Sequence, residues 1–133
     1  EYTIVTKCEE LILVRMDVQL IIQVLVNLID NAIKYTPKGS KICIRGMKCN
    51  GKAQICVEDN GPGIADEMKP YIFEMFYTGK NTIADSQRSL GLGLSLCQSI
   101  IEAHDGRLLL TDNTPRGCIF TFTLPLSEVT LNE

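Results

Sequence analysis

In DVQLIIQVLVNLIDNAIKYTPKG, residues 17–39, apolar side chains recur at helical spacing from Val18 to Tyr35. Asp17 suits the N-cap, because its short carboxylate can accept from an unpaired N–H of the first turn. Thr36-Pro37-Lys38-Gly39 stops the helix. At roughly 100° per residue, Gln23, Asn27, Asn31 and Lys34 fall within an arc of about 80°, while Ile21, Leu25, Leu28, Ile29 and Ala32 take the opposite side. One side packs and the other is left to bind. An ordinary amphipathic helix with solvated amides shows the same pattern, so the amides alone do not identify a ligand.

Downstream, Lys41 to Lys48 and Lys52 to Asp59 are strand-like runs joined through Asn50-Gly51, a hairpin signal because both residues tolerate positive φ. Upstream, Tyr2 to Val5 and Leu11 to Arg15 read as a paired edge. Ala65 to Phe76 holds short helical turns, and Gly79 to Leu90 (GKNTIADSQRSL) is polar and aperiodic, the composition of a mobile lid. Leu92 to His104 is a second amphipathic helix closed by Asp105-Gly106, and Arg107 to Asp112 with Gly117 to Leu124 make a last pair of strands. The order predicts an α/β two-layer sandwich, helices covering one face of a mixed, largely antiparallel sheet. It reads as one domain over residues 1–126, with a frayed tail from Ser127.

Composition bounds the function. The 133 residues, 45% apolar, suit one core. With 13 basic against 16 acidic residues the net charge is −3 and no basic stripe exists, which argues against a nucleic-acid backbone as partner. No apolar run reaches the length of a membrane span. Six cysteines without a CxxC pair read as small apolar fillers in a reduced setting, which with the absent span predicts a cytoplasmic domain.

The helix amides gain their meaning from two glycine clusters. Asp59 ends a strand, and Asn60-Gly61-Pro62-Gly63 forces a tight turn where backbone can approach a flat ligand. A carboxylate there only accepts, so it suits the exocyclic amine of adenine and repels the carbonyl oxygen that guanine presents. Gly91-Leu92-Gly93 opens the second helix, where free N–H groups and the helix dipole favour phosphate. No third glycine completes a dinucleotide fingerprint, and no GxxxxGK[ST] is present. Asn oxygens are hard, neutral ligands suited to Mg²⁺. Asn31 is the preferred metal ligand, Asn27 supports the same ion or a phosphate, and Asp30 is a rival ligand. Lys34 supplies charge to a triphosphate, Tyr35 lies against the base, and Lys80 and Arg88 flank the lid within reach of the γ-phosphate. The socket therefore fits Mg-ATP. His104 falls near Ile100 and Ile101 at the end of the second helix, which predicts a structural imidazolium rather than a phosphoacceptor.

NLIDNAIKYTP, VEDNGPGI, IFEMFYTG and SLGLGLSLCQSIIEAHDG resemble, in order, the N, G1, F and G2 boxes of sensor histidine kinase catalytic domains, part of the superfamily of gyrase, Hsp90, these kinases and MutL. The likeness spans Val5 to Pro125, and the wording IADSQRSLGLGLSLC is most similar to Kdp-type potassium-responsive kinases. The resemblance implies a Bergerat ATP-binding fold. It implies nucleotide roles for Asn27, Asn31, Lys34, Tyr35, Asp59, Gly61, Gly63, Gly91 and Gly93; Ile64, Lys80, Arg88, Leu92 and Thr121 complete the expected nucleotide contacts, and Asn27, Lys34 and Arg88 are the expected catalytic residues. Two positions depart from the family's pattern. Cys118 stands where many relatives have Thr, and Thr78 where Arg is frequent.

The ATP-hydrolysing relatives place Glu four residues before the metal-binding Asn, and here that residue is Asn27. An amide cannot act as base, so hydrolysis is expected to be slow and the γ-phosphoryl group kept for a protein acceptor. The resemblance implies transfer to a histidine on a dimerisation hairpin N-terminal to Glu1, a response regulator downstream, and a membrane-anchored bacterial parent protein. On that reading the chain binds ATP without phosphorylating itself. A free-standing serine kinase of the anti-sigma type and a non-catalytic ATP-responsive module are the alternatives.

Overall fold

The computed structural model describes residues 3–8, 16–73 and 93–126. In chain order these form β1 (Thr3–Cys8), α1 (Val18–Tyr35), β2 (Lys41–Cys49), β3 (Lys52–Asp59), a 3₁₀ turn (Lys69–Tyr71), α2 (Gly93–Ala103), β4 (Arg107–Asp112) and β5 (Cys118–Pro125). The strands make one sheet in the order β1-β2-β3-β5-β4. Only the β1–β2 pair is parallel among these strands; β2–β3, β3–β5 and β4–β5 are antiparallel. The mixed, mostly antiparallel sheet is the expected one, with β3 at its centre.

Of the predicted upstream pair, only the first arm falls within the described residues, as β1. β1 pairs in parallel with β2, from Thr3 opposite Lys41 to Cys8 opposite Gly46. Two parallel neighbours need a long crossover, and α1 lies between them in the chain to provide it. Leu11 to Arg15, the lid from Gly79 to Leu90 and the tail from Ser127 lie outside the described residues. The Asn50-Gly51 hairpin forms as expected, both residues at positive φ (54° and 76°).

α1 begins where Asp17 Oδ1 accepts from Leu20 N–H at 3.2 Å. It ends where Thr36 Oγ1 donates to Ala32 O at 2.6 Å and Pro37 blocks continuation. Its buried stripe of Ile21, Val24, Leu28 and Ala32 packs into a core shared with Ile42, Val57, Phe120 and Phe122 of the sheet and Cys97, Ile100 and Ile101 of α2. Burial of each large aliphatic or aromatic side chain contributes about 1.5–3 kcal/mol, and this stripe fixes which way the amides of α1 point.

His104 is structural, but neutral rather than cationic. Its Nε2 accepts from the Asp17 backbone N–H at 3.0 Å, and its Nδ1 donates to Ile100 O at 2.8 Å. A ring nitrogen that accepts an N–H carries no proton, which overrides the expectation of imidazolium at a helix C-terminus. The ring ties the end of α2 to the start of α1. H104A is expected to lower stability by about 1 kcal/mol, read as a shifted urea midpoint with unchanged slope. An unchanged midpoint would show that the tie contributes nothing.

Candidate functional site

Alternation along β3 puts Val57 and Asp59 on the face toward the helices. Asp59 is 6% exposed, so its carboxylate must be partnered. Gly61 N–H donates to Oδ1 at 2.9 Å and Cys118 N–H donates to the same oxygen at 3.3 Å. Neither bond uses Oδ2. The turn after Asp59 is pinned from several sides. Asn113 Nδ2 donates to Asp59 O at 2.8 Å, Asn60 Oδ1 accepts from Lys41 N–H at 2.9 Å, and Arg116 Nε donates to Asn60 O at 3.3 Å.

Two glycines are required here by contact. A methyl group at Gly61 would overlap Thr36 Cγ2, and one at Gly117, where φ is +113°, would overlap Asp59 O. Thr36 therefore brings the end of α1 against the glycine turn. Lys69 Nζ bonds both Asp66 and Asp112, the latter at 2.8 Å, which fastens the 3₁₀ turn to the end of β4. Hydrogen bonds to those carboxylates push the Lys69 ammonium up to about 12 and hold Asp66 below its usual range. Phe73 meets Phe120 edge-on at 6.2 Å, so the chain beyond Ile64 returns to the core.

On the α2 side, Gly93 opens the helix and Cys97, one turn on, is 0% exposed. Its Sγ–H donates to Val24 O at 3.8 Å, which ties α2 to α1. Asn27, Asn31 and Lys34 are half-buried on one face of α1. Thr36 thus joins the end of α1 to the Asp59–Ile64 turn, and Cys97 joins α2 to α1 at Val24.

Of the residues singled out from sequence, Asn27, Asn31, Lys34, Asp59, Gly61, Gly63, Ile64 and Gly93 occupy these three elements, and Tyr35 is the last residue of α1. Lys80, Arg88, Gly91 and Leu92 lie outside the described residues. Thr121 is not brought to the site. It stands opposite Cys56, its hydroxyl 3.4 Å from that thiol, on the sheet face away from Phe120 and Phe122. A period of two decides this: Cys118 points to the helix side, and Thr121, three positions on, cannot. Three contributors escape a reading of the sequence. Thr36 looks like a plain helix stop, Cys97 like an apolar filler, and Asn113 carries no signal at all. A Thr before Pro at a helix end is a pattern that could flag the first.

Burial pushes the Cys97 thiol up to about 11. Burial and then the nearby Asp59 and Asp112 carboxylates push Cys118 up to about 11 as well. An unfolded thiol titrates near 9.0, so the unfolded chain loses these protons first. Their stabilising effect is complete below about pH 9 and lost as pH rises through about 11. In reducing buffer, urea midpoints should fall across that window, by on the order of 2 kcal/mol per thiol. C118S should flatten the fall, and a flat profile in the unmodified chain would contradict the burial of both thiols.

A model of the family described as histidine kinase-, DNA gyrase B- and HSP90-like ATPases matches residues 16–128. The chain is 43% identical over 117 residues to the sensor protein KdpD of Clostridium acetobutylicum, covering 88% of this chain and 13% of that protein. It is also 43% identical over 119 residues to the adaptive-response sensory kinase SasA of Nostoc sp., covering 89% of this chain and 29% of that one. The chain thus spans less than a third of either relative. Among solved structures, the catalytic domain of the histidine kinase ThkA superposes with a TM-score of 0.80 at 34% identity, over 93% of this chain and 78% of that one. The same kinase in complex with its response regulator TrrA superposes at 0.76, with 33% identity, over 95% of this chain and 34% of that chain.

Proposed function

This chain belongs to the histidine kinase-, DNA gyrase B- and HSP90-like ATPases as the ATPase domain of a two-component sensor kinase, and from that membership we propose that it binds Mg-ATP and donates the γ-phosphoryl group to a histidine. The observation that carries the reading is the Asp59 carboxylate, buried at the end of β3 with both backbone donors on Oδ1. That arrangement leaves Oδ2 as the acceptor for an exocyclic amine, while guanine would set a carbonyl oxygen against it. Cys118, where relatives often carry Thr, replaces a hydroxyl by a weaker donor beside the base and leaves base selection to Asp59.

The donor set on α1 fits Mg²⁺, since Asn27 and Asn31 offer neutral, hard oxygens one turn apart on a half-buried face. Asn31 is the ligand and Asn27 its support. The ion would neutralise phosphate charge and hold the triphosphate in register. Lys34 adds a cation on the same arc, and the N–H groups at the start of α2 face the phosphates, joined by Gly91 and Leu92. Lys80 and Arg88 neutralise the γ-phosphate. Asn27 lacks the basicity to activate water, so positioning dominates and the phosphoryl group survives for transfer.

The acceptor is a histidine on a dimerisation hairpin of the same protein, and the phosphoryl group then passes to a response regulator. The sensor kinase relatives and the ThkA complex with its regulator support this over an anti-sigma serine kinase. Equal identity to KdpD and SasA means that this domain does not distinguish a potassium signal from another stimulus.

Calorimetric titration with ATP and GTP, each with and without Mg²⁺, tests the reading. ATP should bind in preference to GTP, with an affinity gain from Mg²⁺ that N31A abolishes. D59N should reduce the preference for ATP by about tenfold or more, the cost of losing one well-placed polar contact to the base. Equal affinity for the two nucleotides in the unmodified chain would overturn the assignment of Asp59.

A further inference from the structure

The pairing of β3 with β5 runs from Lys52 opposite Pro125 to Glu58 opposite Ile119 and ends there, one residue short of Asp59. The backbone of Asp59 is therefore left without a ladder partner on its β5 flank, although it still pairs with Ile42 of β2 on the other. A buried backbone carbonyl needs a donor, and the turn between β4 and β5 supplies it. Asn113 Nδ2 donates to Asp59 O at 2.8 Å, Asn113 Oδ1 accepts from Thr114 N–H at 2.8 Å, and Asn113 N–H donates to Gly117 O at 2.9 Å. The carboxamide is thus fixed at both ends, its oxygen by its own turn and its nitrogen by the strand it reaches.

We infer that Asn113 is a positioning residue for base recognition, standing in for the missing rung of the ladder and so holding the Asp59 carboxylate in the orientation that leaves Oδ2 to the ligand. The inference rests on the proposed reading of Asp59 as the adenine acceptor. Oδ1 is held by N–H groups from two segments, Gly61 in the turn after β3 and Cys118 at the start of β5. The Cys118 bond is the longer, at 3.3 Å, and it depends on the β4–β5 turn staying against the end of β3. Two side chains of that turn grip successive carbonyls. Arg116, exposed, reaches Asn60 O at 3.3 Å, whereas the half-buried Asn113 reaches Asp59 O at 2.8 Å and is the firmer hold. Gly117 permits the approach, since a Cβ there would lie 2.0 Å from Asp59 O. Without the Asn113 link the carboxylate gains freedom to turn, and a turning carboxylate discriminates less between an amine and a carbonyl oxygen on the base.

The test compares N113D and N113L, both close to Asn in shape. Neither can donate to Asp59 O; the first still accepts from Thr114 N–H, and the second adds no charge. In each, the preference for ATP over GTP should fall about fivefold, the size of one lost neutral hydrogen bond. The gain in ATP affinity on adding Mg²⁺ should stay that of the unmodified chain, because the proposed cation ligands lie on α1; a general loosening of the fold would lower both. Independently of nucleotide, amide hydrogen exchange at Gly61 and Cys118 should quicken in both variants while exchange within α1 is unchanged. An ATP preference retained in N113L overturns the inference whatever N113D shows, as does unaltered exchange at Gly61 and Cys118 or equal acceleration across α1. If the unmodified chain binds ATP and GTP alike, the functional reading fails while the exchange at Gly61 and Cys118 still decides whether Asn113 holds Asp59. If neither variant folds, the unmodified protein decides: one Asn113 Nδ2 hydrogen protected from solvent exchange supports the link, and two freely exchanging hydrogens overturn it.

Discussion

Asp59 lies at the end of the central strand, where an unpartnered carboxylate would cost several kcal/mol, and its Oδ1 is satisfied by the N–H groups of Gly61 and Cys118. Meeting that requirement forces the chain after β3 to turn back at once. It also brings the start of β5 within reach and draws Gly117 so close to Asp59 O that no side chain fits. The tight turn, the bare backbone and the direction of the carboxylate are three consequences of the same pair of hydrogen bonds.

The second constraint is that α1 has two jobs on opposite sides. Its buried stripe is held by the sheet and by α2, and this orientation, rather than anything local to the amides, leaves Asn27, Asn31 and Lys34 half-buried on another face of the helix. Both ends of α1 are tied. Thr36 packs against Gly61 at one end, and at the other the neutral His104 ring accepts from Asp17.

Much of this was legible in sequence because the signals are local. Helical periodicity over 18–35, the Asp17 cap, the Pro37 stop and the Asn50-Gly51 hairpin each depend on neighbours within a few residues. Non-local features were not legible. The parallel pairing of β1 with β2 joins residues 38 positions apart, and no local signal separates a parallel edge strand from one arm of a hairpin. The protonation of His104 hinged on a donor at Asp17 that sequence distance conceals. Thr121 shows the cost of ignoring the strand period, and Cys97 shows that a thiol with the look of a filler can also donate a hydrogen bond, to Val24 O.

We propose that the amide face of α1 and the turn after Asp59 together form one binding surface for an adenine nucleotide and its cation. Mapping backbone and side-chain ¹⁵N shifts while a non-hydrolysable Mg-ATP analogue is added tests this most directly. The largest shifts should fall together, with one saturation curve, on Asn31, Gly61, Gly63, Ile64 and the first turn of α2, and the face of the sheet bearing Cys56 and Thr121 should stay unchanged. Shifts on the Cys56–Thr121 face with none at Asn31 or Gly61 would contradict it.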